Sequence, residues 1–353
     1  MLDDLKVIHE RDANDALGIA EKQYLQLTTE FEFRGKQDFT EILNVVYVGM
    51  GGSALAALFI NTWPRLGVPF EVVRNYDLPA YVGEKTLVIG ASYSGNTEEV
   101  LSALNQARER GAQIAIIAGG GELEKQALEY DYMLGMLPKV VQPRYAVLYN
   151  YVLILDVLAA AGVIDSAHQP ELAKAAPFLQ TVIQDWLPTV PTVKNPAKQL
   201  ALEAIGKSVV VYAGPMLAPV AFKWKIGFNE NAKHIAWTGQ YPEFNHNEFI
   251  GWSKQPVDKP YCVIDLRSKL DNERVQLRFE VSERLLSGMR PSPEVVQVQG
   301  ENPLEQLLWA LAFGDFVTIY TGIANGLNPA PVELVEKFKK ELGPHTFLSS
   351  EPS

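Results

Sequence analysis

Hydrophobic and polar positions along the chain alternate between two periods. Apolar residues recur at Leu2, Leu5, Ile8, Leu17, Ala20 and Tyr24, a helical spacing, so the first 30 residues are expected to be helical. From Val45 the pattern changes. Val45-Val46-Tyr47-Val48 reads as a strand, followed by Gly49-Met50-Gly51-Gly52-Ser53 and a helical stretch over 54–62. Residues 70–73, 86–89 and 114–117 read as further strands. A helix over 98–110 lies between the last two, stopped by Gly111, and Gly119-Gly120-Gly121 stops the strand that follows. Short continuous apolar runs interleaved with helices point to a parallel sheet covered on both faces.

The stretch from Trp186 to Pro196 carries Pro188, Pro191 and Pro196, and the domain boundary is expected there, giving domains 1–185 and 186–353. The alternation then restarts: strands over 209–212, 261–264 and 295–298, helices over 217–231, 272–286 and 304–320. The tail, 331–342, reads as a terminal helix with Lys337, Lys339 and Lys340. The expected fold class is therefore α/β, one three-layer αβα architecture used twice, with mostly parallel sheets.

Composition narrows the choice of partner. The chain has 353 residues, 47% of them hydrophobic and 21% charged, which suits a folded two-domain protein. Its net charge of −11 argues against nucleic acid, since neutralising a polyanion needs clustered Lys and Arg. A small anion could still be held locally by backbone N–H groups and hydroxyls. Cys262 is the single cysteine, which excludes an internal disulfide and fits a reducing cytoplasm. The start, Met1-Leu2-Asp3-Asp4-Leu5-Lys6, has neither the basic nor the apolar part of a secretory leader. Residues 145–163 are the most apolar long segment, yet they include Asn150 and Asp156 and lack a flanking basic cluster. They read as a buried helix or a subunit contact, with a membrane span as the alternative. No His-x-His, His-Glu-x-x-His or cysteine pair is present, so neither metal nor cofactor is expected.

Two loops could carry chemistry, each following an expected strand and opening a helix, where open α/β sheets bind ligands. Ser92-Tyr93-Ser94-Gly95-Asn96-Thr97 sets Ser92, Ser94 and Thr97 at a helix N-terminus, and Gly95 lets the backbone approach a ligand. This composition suits a phosphate cradle without a basic residue; an ordinary N-cap would need one hydroxyl only. The loop Gly49-Met50-Gly51-Gly52-Ser53-Ala54 fits the dinucleotide fingerprint with Ala in the last place. That fingerprint also wants an acid at the end of the next strand, where this chain has Arg74-Asn75. An NADP reading would set Arg74 on a 2′-phosphate; otherwise Gly52 and Ser53 join the phosphate held by the second loop.

Val48-Gly49-Met50-Gly51-Gly52-Ser53-Ala54, together with Ala91-Ser92-Tyr93-Ser94-Gly95-Asn96-Thr97-Glu98-Glu99-Val100, resembles the sugar isomerase (SIS) domain. The tandem arrangement resembles the phosphoglucose isomerase superfamily. Phe228-Asn229-Glu230-Asn231-Ala232-Lys233 and Tyr241-Pro242-Glu243-Phe244-Asn245-His246-Asn247-Glu248 are similar to the bifunctional phosphoglucose/phosphomannose isomerase family. The resemblance implies a metal-independent, cytoplasmic aldose–ketose isomerase acting on hexose 6-phosphates, glucose 6-phosphate and mannose 6-phosphate giving fructose 6-phosphate. It implies Glu230 as the base that moves the proton between C1 and C2, a step that suits a partly desolvated carboxylate. It implies His246 in ring opening, contributed from the partner subunit of a homodimer. It implies Lys339 near the ring oxygen, with Lys337 and Lys340 as competing assignments, and Arg144 beside the enediolate. Gly52, Ser53, Ser92, Ser94 and Thr97 would bind phosphate. Two other readings stay open: a tandem SIS enzyme of amino-sugar or deglycation type, and a non-catalytic phosphosugar-binding module.

Overall fold

The computed structural model describes residues 1–36, 38–254 and 260–343. By contact the chain forms two compact units. One comprises residues 29–58, 66–168 and the terminal segment from Val332; the other comprises 1–28, 59–65 and 169–331. This differs from a cut at 185/186. The first 28 residues belong with the second half because Ala16, Leu17 and Ala20 are buried on the short helix Ala16–Glu21, which packs on the helix Pro303–Ala324. The proline-rich stretch lies inside this unit too. Lys198, fully buried, donates to the carbonyls of Pro188 and Val190 at 2.8 Å and pairs with Asp3 at 3.2 Å, so the stretch is tied down.

The first unit holds a sheet in the order β1-β6-β5-β4-β2-β3, with β1 (Phe33–Arg34), β2 (Asn44–Gly49), β3 (Phe70–Val73), β4 (Thr86–Ser92), β5 (Gln113–Ala118) and β6 (Met133–Met136). All its pairs are parallel except β1 with β6. Every residue of the central strand β4 is buried, as a parallel strand covered on both faces requires. The helix Glu98–Glu109 turns Val100, Leu101, Ala103, Leu104 and Ala107 onto Val46, Val88, Ile114 and Ile116. The apolar segment at 145–163 forms the helix Val147–Ala160, buried along most of its length. Its Asn150 and Asp156 both have polar partners inside the unit.

The second unit holds a parallel sheet in the order β10-β9-β7-β8, with β7 (Ser208–Ala213), β8 (Ala236–Gln240), β9 (Tyr261–Arg267) and β10 (Glu294–Gln297). Strand alternation gives it two distinct faces. Val210, Tyr212 and Val263 point into an aromatic cluster with Tyr241, Phe244, Val275, Phe279 and Leu286. The helix Ala218–Asn231 packs on β7, β8 and the helix Pro303–Ala324, contributes nothing to that cluster, and so covers the opposite face. Pro303–Ala324 is long and apolar enough to cross a membrane, with mean hydropathy 1.5 over its most apolar 18 residues, but 94% of that window is buried, and it serves as the core helix of its unit. Its polar groups are matched: Asp315 pairs with Lys223, and Thr318 accepts from Asn231 at 2.9 Å.

The expected N-terminal helix is broken into Leu5–Arg11, Ala16–Glu21 and the 3-10 turn Gln23–Thr28. The breaker is Asp12-Ala13-Asn14-Asp15. The Asp12 carboxylate accepts from the N–H groups of Ala16 and Leu17 at 2.8 and 2.9 Å, and Asp15 sits at φ 55° capping Gly18, so two aspartates restart the helix.

Candidate active site

Residues placed together by the first unit come from the ends of β2 and β4. Ser92, the last residue of β4, is 2% exposed, and its Oγ is a hub. It shares a hydrogen bond with Thr97 Oγ1 at 2.7 Å and one with Ser94 Oγ at 3.3 Å, and accepts from the Gly95 N–H at 3.1 Å. Thr97 occupies the N-cap of the helix Glu98–Glu109, but its hydroxyl faces Ser92 and does not cap. The hydroxyls thus gather beside the positive end of the helix, a suitable environment for an oxyanion. Ser53, in the first turn of the helix Gly52–Leu58 that follows β2, accepts from the Tyr93 N–H at 3.2 Å, which joins the two glycine-bearing segments into one cradle.

Backbone geometry explains the glycine. Gly95 has φ +71°, and a Cβ there would lie 1.6 Å from the Gly120 carbonyl oxygen. The Gly119-Gly120 bend after β5 and the start of the helix Gly121–Glu129 thereby buttress the cradle: Leu123 N–H donates to the Gly95 carbonyl at 2.9 Å, and Asn96 Oδ1 accepts from Glu122 N–H at 2.9 Å.

Two buried polar residues that the sequence pattern did not single out for this site hold Ser53 in place. Tyr47, on β2, donates its hydroxyl to the Ser53 carbonyl at 2.7 Å; Asn150 donates to the same carbonyl and to the Tyr47 hydroxyl, both at 2.9 Å. Burial pushes the Tyr47 phenol well above its usual range, so it stays a neutral donor. The available signal was a buried Asn inside a mostly apolar helix, which calls for a partner.

Arg144, in the 3-10 turn Pro143–Tyr145, is 4% exposed, and its guanidinium lies over the Tyr145 ring at 4.7 Å. An added Cβ on Gly52 would come within 3.0 Å of the Arg144 backbone nitrogen, so Arg144 adjoins the first loop. Lys339 is on the terminal helix Glu333–Leu342, solvent-exposed and paired with Glu336 at 2.9 Å. None of the ten residues of that helix is buried, and Leu334, Phe338 and Leu342 stand exposed on it.

Glu230 and His246 both lie in the second unit, and the fold keeps them apart. Glu230 is half-buried in the last turn of the helix Ala218–Asn231, and Asn229 beside it donates to the His234 carbonyl at 2.8 Å, at the entrance to β8. His246 ends the 3-10 turn Glu243–His246, beyond the exit of β8, in the segment whose Phe244 packs on the other face of the sheet. The five residues of β8 span about 13 Å at a strand's rise. The two groups are thus at opposite ends of one strand, on segments packed against opposite faces. His246 is exposed. Of the remaining histidines, His168 is buried and bonded to Asp156 at 2.9 Å, and His234 turns its ring to the Lys207 carbonyl. Ile235, beside it, is 60% exposed.

A hydroxyl cradle at the carboxyl ends of parallel strands, in one of two α/β units, defines the class of tandem sugar-isomerase proteins. The SIS domain model matches residues 39–163, and the model for the bacterial phospho-glucose isomerase C-terminal SIS domain matches 193–342. The chain belongs to the bifunctional phosphoglucose/phosphomannose isomerase family: it is 30% identical to the family's enzyme from Aquifex aeolicus over 88% of this chain and 93% of that protein. It is also 30% identical to a D-glucosamine-6-phosphate 4-epimerase from Sulfolobus acidocaldarius, over 66% of this chain and 72% of that one. Among solved structures, a glucose-6-phosphate isomerase like protein from Thermus thermophilus shares the fold, with TM-score 0.62, 18% identity and coverage of 95% and 99%.

Proposed function

We propose that the protein is a sugar-phosphate isomerase that interconverts glucose 6-phosphate and mannose 6-phosphate with fructose 6-phosphate, a cytoplasmic step shared by glycolysis and gluconeogenesis. The observation that carries the reading is the cradle in which Ser92, Ser94 and Thr97 converge at a helix N-terminus, with Ser53, next to Gly52, bonded to the Tyr93 N–H of the same loop. It offers donors to a terminal phosphate without a fixed positive charge, and family membership names the sugar that carries it.

Chemistry at the other end of the sugar follows from the side chains. His246 exchanges the proton that opens the pyranose ring, assisted at the ring oxygen by Lys339. Glu230 then takes the proton from C2 of the open-chain aldose and returns it at C1, through a cis-enediol. Arg144, buried beside the first loop, holds the developing enediolate charge and disfavours loss of phosphate by β-elimination. The working unit in this proposal is a homodimer. Glu230 and His246 of one chain are at opposite ends of β8, which supports delivery of His246 to a site by the neighbouring subunit.

Purified protein is expected to convert fructose 6-phosphate to both aldoses, and Glu230→Gln to abolish conversion while leaving circular dichroism unchanged. Turnover of glucosamine 6-phosphate with none of either hexose phosphate would replace this reading with the amino-sugar one. Binding of sugar phosphate with no exchange of the C2 proton into solvent would reduce the protein to a sensor.

A further inference from the structure

The segment carrying His246 is exposed, yet nearly every neighbour of the histidine is held. Phe244 is 2% exposed and wedged among Tyr212, Tyr241 and Phe249. Asn247 donates to Glu243 at 2.6 Å across the histidine, and Glu248 accepts from the buried Tyr212 hydroxyl, which itself accepts from Trp252 at 3.0 Å. Asn245 makes the strongest-placed contact. Its Nδ2 donates to Ser282 Oγ at 2.8 Å and its Oδ1 accepts from Arg278 at 3.1 Å. Arg278 and Ser282 are four residues apart on the helix Glu273–Leu285, so they present one donor and one acceptor on the same helix face. Both ends of a single amide are therefore gripped by a rigid element, immediately before the histidine in the chain.

We propose that Asn245 is a positioning residue: clamped by Arg278 and Ser282, it fixes the backbone from which His246 is presented to the reaction. The proposal rests on the ring-opening role of His246 given above. An exposed histidine on an unsupported turn would sample many orientations, and general acid–base transfer tolerates little misplacement. The clamp reads shape and not charge. Asn245→Asp keeps the acceptor for Arg278, and the rotating Ser282 hydroxyl would donate where it now accepts.

Ring opening can be followed without isomerisation, by exchange NMR of the two anomers of glucose 6-phosphate. Asn245→Ala is expected to slow enzyme-catalysed anomer exchange by about tenfold or more, with KM for the sugar phosphate within about twofold because the phosphate cradle is in the other unit. Asn245→Asp should restore most of the rate, a rescue that a merely structural loss would not show. Ser282→Ala removes half of the clamp and covers the case in which Asn245→Ala fails to fold; it should give a smaller loss of the same kind. Anomer exchange at the wild-type rate in folded Asn245→Ala or Ser282→Ala, beside a His246→Gln protein that has lost it, overturns the clamp alone. Wild-type exchange in His246→Gln overturns the ring-opening role of the histidine and the clamp with it.

Discussion

At the scale of single residues, the cradle depends on one atom more than on its count of hydroxyls. Ser92 Oγ reaches Ser94, Thr97 and the Gly95 N–H together, whereas Ser94 itself is exposed and reached by the Asn96 N–H at 3.3 Å. Removing Ser92 Oγ should release three partners and leave the surrounding core unchanged, since Ala fits the space of a buried Ser. Ser92→Ala is therefore expected to raise KM for fructose 6-phosphate about tenfold, the loss of one to two hydrogen bonds' worth of binding, with a thermal midpoint close to wild type. An unchanged KM would mean that the phosphate is held elsewhere. The serine- and glycine-rich composition was legible in the sequence because it is local. The support from Tyr47 and Asn150 was not, because those two residues lie 103 positions apart and meet only when the helix Val147–Ala160 is folded onto the helix Gly52–Leu58 and the sheet.

At the scale of elements, legibility followed β-branched runs, which mark even the half-exposed β3 (Phe-Glu-Val-Val) and β10 (Glu-Val-Val-Gln). The continuous apolar runs of β2, β4 and β5 stand out because both faces of these strands are covered. β8 and β6 did not: β8 is an edge strand with exposed Trp237 and Thr238, and β6 reads Met-Leu-Gly-Met, short and without a β-branched residue. The helix pair around His168 yields a prediction of its own. His168 opens the helix His168–Ile183 and bonds Asp156 on Val147–Ala160. Burial alone would lower its pKa, but the bond to Asp156, the Asp165 carbonyl and the charges of both aspartates outweigh it, and the net shift is upward from 6.5. A raised histidine pKa binds a proton more tightly in the fold than in the unfolded chain. Its stabilisation is complete below the unfolded value near 6.5 and is lost as pH rises through the folded value. The stability advantage of wild type over His168→Gln, from urea unfolding, should thus be larger at pH 5.5 than at pH 8.5. An advantage that grows with pH would show that the imidazole is buried neutral.

At the scale of the whole molecule, the proposed chemistry is divided unequally between the two units. One holds the hydroxyl cradle and Arg144, the other Glu230 and His246 on opposite faces of one sheet. On the proposed mechanism, a site that uses both of the latter draws them from the two chains of a homodimer. Mixing two inactive proteins tests this directly. In a heterodimer of Glu230→Gln with His246→Gln, one site combines both altered residues and the other combines wild-type Glu230 with wild-type His246. Random reassortment makes about half of the dimers heterodimers, each with one competent site of two, so activity should recover to about a quarter of wild type. Recovery should require subunit exchange and vanish when the dimers are cross-linked before mixing. If both residues served from a single chain, each subunit in every pairing would lack one of them, and the mixture would stay as inactive as its parts.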